Sequence, residues 1–171
     1  MEEILNEIDK SLLETFKNKG LKAYGYCELI IKDKKPNPVS CSLKKGEKRQ
    51  IAEIHDQYNG IFYHRLLSNF PAQEDEEFSF GDTLSKKFSL RMRTFVATKV
   101  KLGESFFIDF TNAFPDKITL TGYKFVFLTQ GTVIADHEAV YNQEYGDQSY
   151  DKHRTSWNIF AFEYDLQFIK C

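Results

Sequence analysis

From Phe160 onward the large apolar residues occupy every second position. Phe160, Phe162, Tyr164, Leu166 and Phe168 alternate with Ala161, Glu163, Asp165, Gln167 and Ile169. A period of two predicts a half-buried β-strand over residues 156–170, because successive side chains of a strand point to opposite faces. A helix would scatter the same side chains around its axis. Burying five of them contributes about 1.5–3 kcal/mol each before entropy, as an upper bound. The fold is therefore expected to be organised around this strand, paired inside a sheet.

The opening segment has a different period. Ile4, Leu5, Ile8, Leu12, Leu13 and Phe16 recur at three- and four-residue spacing and predict an amphipathic helix over 2–19. Gly20 follows as its stop. A strand is expected over 21–32, a turn over 33–38 where Pro36 and Pro38 interrupt pairing, and a short strand over 39–43 with Val39, Cys41 and Leu43 inward. Lys45-Gly46 marks another turn, and these pieces read as an antiparallel meander. Residues 50–56 fit either strand or helix. A strand is predicted over 60–68, a long exposed loop over 69–82, and a long strand over 88–100 ended by Gly103.

Phe106, Phe107, Phe110, Ala113 and Phe114 then predict a short helix within 104–114, stopped by Pro115. A strand over 118–129 and a Gln130-Gly131 turn follow, and 132–135 is expected to pair back as a hairpin. Residues 136–154 are polar and tyrosine-rich, and are expected to form a loop with at most one helical turn. The fold class is thus α+β: one domain over 1–171, a mostly antiparallel sheet covered by an N-terminal amphipathic helix and a second short helix.

Composition adds little. Aromatics make up 15% of the 171 residues, which favours strands. The 23 basic and 25 acidic residues nearly balance, so global charge points to neither nucleic acid nor membrane. Charge is segregated locally. Residues 32–49 hold seven basic side chains against two acidic ones, residues 86–101 hold six and no acid, and 74–77 is an acidic block. Three cysteines, Cys27, Cys41 and Cys171, without metal spacing or a signal peptide, predict a reducing compartment, and Cys27 and Cys41, on predicted strands, are expected to be buried thiols. No apolar run approaches the roughly 20 residues of a membrane helix.

Nucleophile elbows, phosphate-binding glycine loops and HExxH are absent from the sequence. His55-Asp56, His137-Glu138, Asp136, Asp151 and His153 are the only grouping with acid-base or metal potential; solvated side chains are the default reading. No catalytic, metal or cofactor residue is assigned, and no cofactor is expected. Arg91, Arg93 and Lys99 share one face of their strand. They form its wet face, or they meet phosphate, or they dock against an acidic surface of another copy. The acidic segment offers Glu144, Tyr145, Asp147 and Tyr150 as the complementary side of such a subunit interface.

The order of elements, carried by EEILNEIDKSLLETFKNKG, LRMRTFVATKV with the helix after it, and WNIFAFEYDLQF, resembles the tail-terminator and tail-completion proteins at the neck of tailed bacteriophages. The likeness covers about half the chain and lies in layout. It implies a non-enzymatic virion subunit that forms a homo-oligomeric ring joining head to tail. Its partners would be other neck or tail proteins, with non-specific contact to DNA in a lumen and none to a membrane. Its location would be the virion, and the host cytoplasm during assembly. The alternative function is a small-ligand-binding β-rich module with an aromatic-lined pocket.

Overall fold

The computed structural model describes residues 1–41, 49–67, 77–80, 83–129 and 131–170. Its helices are α1 (Glu2–Thr15), α2 (Phe106–Asn112) and α3 (His137–Tyr145). Its strands are β1 (Leu21–Lys32), β2 (Lys35–Ser40), β3 (Gly60–Leu66), β4 (Glu77–Phe80), β5 (Thr83–Lys99), β6 (Lys117–Ile118), β7 (Tyr123–Thr129), β8 (Val133–Ile134) and β9 (Trp157–Lys170). They build one sheet in the order β2-β1-β3-β5-β9-β7-β6, with β4 added to β5 and β8 to β9. The fold is α+β, and every strand pair is antiparallel except β1 with β3.

The closing strand lies in the middle, as its alternation predicts. β9 is held on one side by β5, from Lys87↔Ile169 to Lys99↔Trp157, and on the other by β7 and β8. Phe160, Phe162, Tyr164, Leu166 and Phe168 enter the main core with the α1 stripe (Ile4, Leu5, Ile8, Leu12) and with Phe106, Phe110 and Phe114 of the α2 region. The edge-to-face contacts of Phe114 with Phe162 (5.0 Å) and of Phe110 with Phe160 (6.0 Å) fix how α2 sits on the sheet.

The opposite face of the sheet is covered too, contrary to expectation. Ile61, Tyr63, Phe95, Ala97, Ile159 and Ala161 point there and bury against Val140 and Tyr141 of α3. The segment expected to be a loop is thus a helix followed by a 3-10 turn (Asp147–Lys152). Asp136 caps α3 by accepting from the Ala139 backbone N–H at 3.1 Å. Small and apolar residues at the wet positions of β5 and β9 require this cover, because exposed they would leave a large apolar patch.

Other boundaries move for local reasons. α1 ends at Thr15 rather than Lys19, and a turn leads to Gly20 at φ +70°, packed so closely on Asn59 that a Cβ would come within 2.9 Å of its Nδ2. The turn after β1 is only Asp33-Lys34, both left-handed (φ 53° and 63°), as a two-residue hairpin needs. Pro36 and Pro38 do not end the pairing. They face Ile31 and Leu29 at alternate positions of an edge strand, where their missing N–H points away from β1.

β2 stops at Ser40, and the expected meander is not formed, because β3 joins the free side of β1 in parallel. From residues 50–56 the sheet takes one bridge, Ile51↔Val39. Glu77–Phe80, expected within a loop, pairs with Thr83–Lys86. Residues 118–129 are two strands folded on each other through Gly122 (φ +87°), and β8 pairs with β9 instead of folding back on β7. Leu43 of the strand expected over 39–43, the Lys45-Gly46 turn, residues 68–76 and 81–82 of the exposed loop, Gln130 and Cys171 lie outside the described residues.

Candidate docking surface

The residues expected to meet another copy are engaged within the chain. Arg91 reaches Asp165 (3.0 Å) and Glu163 (3.5 Å) on β9. Arg93 donates to Glu163 Oε1 from Nε at 3.0 Å and lies 3.6 Å from Glu144. Lys99 donates to the Asp56 carbonyl and rests over the Trp157 ring at 5.8 Å. Glu144 is 0% exposed; it accepts from Arg65 Nη2 at 2.8 Å and from the Tyr63 hydroxyl at 3.1 Å. Tyr145 donates to the Ala52 carbonyl at 2.6 Å, Tyr150 packs on Tyr141 at 5.6 Å, and Asp147 opens the 3-10 turn. The structure brings Arg93 and Glu144 together, so the attraction between basic strand and acidic segment acts inside one molecule. The wet-face reading fails at Arg93, which is buried beneath α3.

The histidines separate. His55 Nδ1 accepts from the Gln57 backbone, and His153 packs on Tyr141 at 5.6 Å, where burial lowers its pKa. Among the described residues no group of three His, Cys, Asp or Glu is placed to hold a metal. Burial pushes the Cys27 thiol well above its ordinary range, as befits an inert core cysteine.

One histidine constellation escaped the sequence reading. His64 Nε2 lies 2.8 Å from Asp9 Oδ1, and its Nδ1 lies 2.7 Å from the Thr94 hydroxyl and 3.3 Å from that of Tyr164. With the proton on Nε2, the ring donates to Asp9 Oδ1 and the single lone pair of Nδ1 accepts from the nearer hydroxyl, that of Thr94. The order carboxylate, imidazole, hydroxyl is that of a nucleophile triad. Yet His64, Thr94 and Tyr164 are fully buried, and the edges of Phe62 and Phe114 close the imidazole in. A substrate has no path to the Thr94 hydroxyl, so the cluster serves to register α1 on the sheet. The signal was present in the sequence: Asp9 interrupts the apolar stripe of α1, and His64 lies on the inward side of β3.

What remains open is a strand edge. β1 pairs with β3 only from Leu21 to Tyr26, and with β2 from Cys27 to Lys32. Beyond Tyr26 the hairpin parts from β3 as a two-stranded arm whose β2 side packs beside the end of α3, and the side of β1 away from β2 has no strand neighbour among the described residues. Ile30 and Ile31 on this arm are 39% and 68% exposed. Lys32, Lys34 and Lys35 stand exposed around its tip. The register Leu21↔Gly60, Gly60↔Thr98, Thr98↔Asn158 puts the α2 and α3 starts at the other end of the sheet. Exposed Glu104, Asp136 and Glu138 lie there, together with exposed Lys19, Lys101, Lys152 and Arg154.

No protein-family model, curated protein or solved structure matches the chain. Among the described residues no helix is long and apolar enough to cross a membrane.

Proposed function

We propose that this chain is a non-enzymatic structural subunit of a phage virion, a neck or tail-completion ring protein connecting head to tail. The observation that carries the reading is the arm: a backbone edge with no strand neighbour among the described residues, beside exposed Ile30 and Ile31. An open edge with apolar side chains is a hazard for a lone monomer and a ready joint for an oligomer. Its occupant in this reading is a second copy, whose own strand edge or surface pairs with the open side of β1. A heterologous contact of this kind closes into a ring when its rotation permits. A lumen crossed by DNA, contacts to other neck or tail proteins, and residence in the virion after assembly in the host cytoplasm follow from the same reading.

Native mass spectrometry of the purified chain tests it, with Ile31→Asp as the variant. The expected result is a discrete ring for the wild type, and a monomer with an unchanged circular dichroism spectrum for the variant. A wild type that stays monomeric at tens of micromolar, alone and with virion neck proteins, sinks the assembly reading. A variant that still forms the ring removes the arm from it.

A further inference from the structure

Between α2, the ends of β5 and β9, and the start of α3 lies a cavity of about 240 Å³. Its apolar walls are Phe106, Phe107 and Phe160, its polar residues Thr98, Asn158 and the half-buried His137 at the start of α3, and Glu104 stands exposed at its rim. Thr98 and Asn158 are cross-strand partners on one face of the sheet. The Thr98 hydroxyl oxygen and the Asn158 amide nitrogen are both buried, and neither has a hydrogen-bond partner. Thr98 itself is 0% exposed. Buried polar atoms are nearly always paired, and two orphans side by side beneath one cavity call for a common partner.

We propose that this cavity binds a small uncharged aromatic molecule carrying one oxygen, of the phenol class. An engineered apolar cavity of about 150 Å³ holds benzene, so the space here suits one ring with substituents. Three phenylalanines supply a wall for that ring. A phenolic oxygen can accept from the Asn158 amide and donate to the Thr98 hydroxyl, which satisfies both orphans at once. Anions are disfavoured by Glu104 at the rim and cations by the lack of a buried carboxylate beneath. The proposal goes beyond the assembly reading and stands without it.

The test titrates p-cresol, toluene and 4-methylbenzoate into the full-length protein, followed by amide chemical shifts. p-Cresol is expected to bind with Kd of roughly 1 mM or tighter, ordinary for about eight heavy atoms. It should bind at least about ten-fold tighter than toluene, and the anion should not bind at all. Thr98→Val, close to isosteric, is expected to remove the preference for p-cresol while toluene binding persists. Equal binding of p-cresol and toluene by the wild type overturns the proposal, and needs no variant. So does the absence of binding by both, or a crystal structure in which ordered water satisfies Thr98 and Asn158 and p-cresol does not displace it. The monomeric Ile31→Asp chain is expected to bind p-cresol unchanged, which keeps this outcome separate from that of the ring.

Discussion

Arg65 of β3 and Arg93 of β5 stand directly opposite each other across two paired strands, and the buried carboxylate of Glu144 reaches both. Two like charges at directly paired positions repel. Glu144 takes Arg65 through both of its oxygens, at 3.1–3.2 Å from Nε and 2.8 Å from Nη2, while Glu163 holds Arg93 from the far side. α3 is thus fastened to the sheet by charge as well as by Val140 and Tyr141. Removing the carboxylate leaves two guanidinium groups facing one another with little water. Glu144→Ala is expected to cost about 3–5 kcal/mol, and Glu144→Gln less, because its amide oxygen still accepts. Urea unfolding at neutral pH measures both; an unchanged midpoint for the alanine variant would refute the role given to Glu144.

Gly131 marks where the chain passes from β7 to β8 along one side of β9. A Cβ there would fall 1.2 Å from the Glu163 carbonyl oxygen, an overlap with backbone that no rotamer relieves. Gly131→Ala is therefore expected to destabilise by about 3 kcal/mol, the upper range of overpacking. Thermal unfolding of this variant beside Gly122→Ala checks it. Gly122 has open space where its Cβ would sit and a positive φ of +87°, so its alanine variant carries backbone strain alone.

Tyr63 and Tyr164 are wholly buried, and burial raises both phenols above the ordinary value of 10.0. A group whose folded pKa is raised contributes stability that is fully present below its unfolded pKa and is lost as pH climbs above it. Stability should begin to fall above about pH 8.5, where the unfolded Cys27 thiol ionises, and fall more steeply above about pH 10 as the two phenols follow. Tyr164→Phe should flatten part of that fall, since it removes one of the two phenols at the cost of the hydroxyl's contacts with Thr94 and with His64 Nδ1, the latter at 3.3 Å. Absorbance at 295 nm read with circular dichroism checks the mechanism: both phenols should ionise only as the fold is lost. Ionisation of either in an intact fold contradicts it.

The parts of the fold legible from sequence were those written in a local period. The alternation of Phe160 to Phe168, and of Leu90 to Thr98 on β5, identified two central strands and their core-facing sides. The α1 stripe identified the helix that covers them. α3 was harder, because its inward residues, Val140, Tyr141, Glu144 and Tyr145, include a charge and two tyrosines and read as polar. The subunit interface was sought in opposite charges far apart in sequence, and such charges need not belong to different molecules. Arg93 and Glu144 are 51 positions apart and meet once α3 folds onto β5. The Asp9, His64, Thr94 and Tyr164 cluster draws on four elements and has no motif to search for. The cavity at Thr98 and Asn158 is set by strand pairing and by where α2 docks.

Sequence alone determined the central strands β5 and β9 and the helix α1, and which side of each turns inward, because side-chain periodicity is a property of neighbouring residues. Tertiary structure alone decided that β3 lies parallel to β1, that α3 closes the second face, and which charges are spent inside the chain. Those outcomes rest on contacts between distant residues, where one buried carboxylate or one carbonyl facing a glycine outweighs local preference.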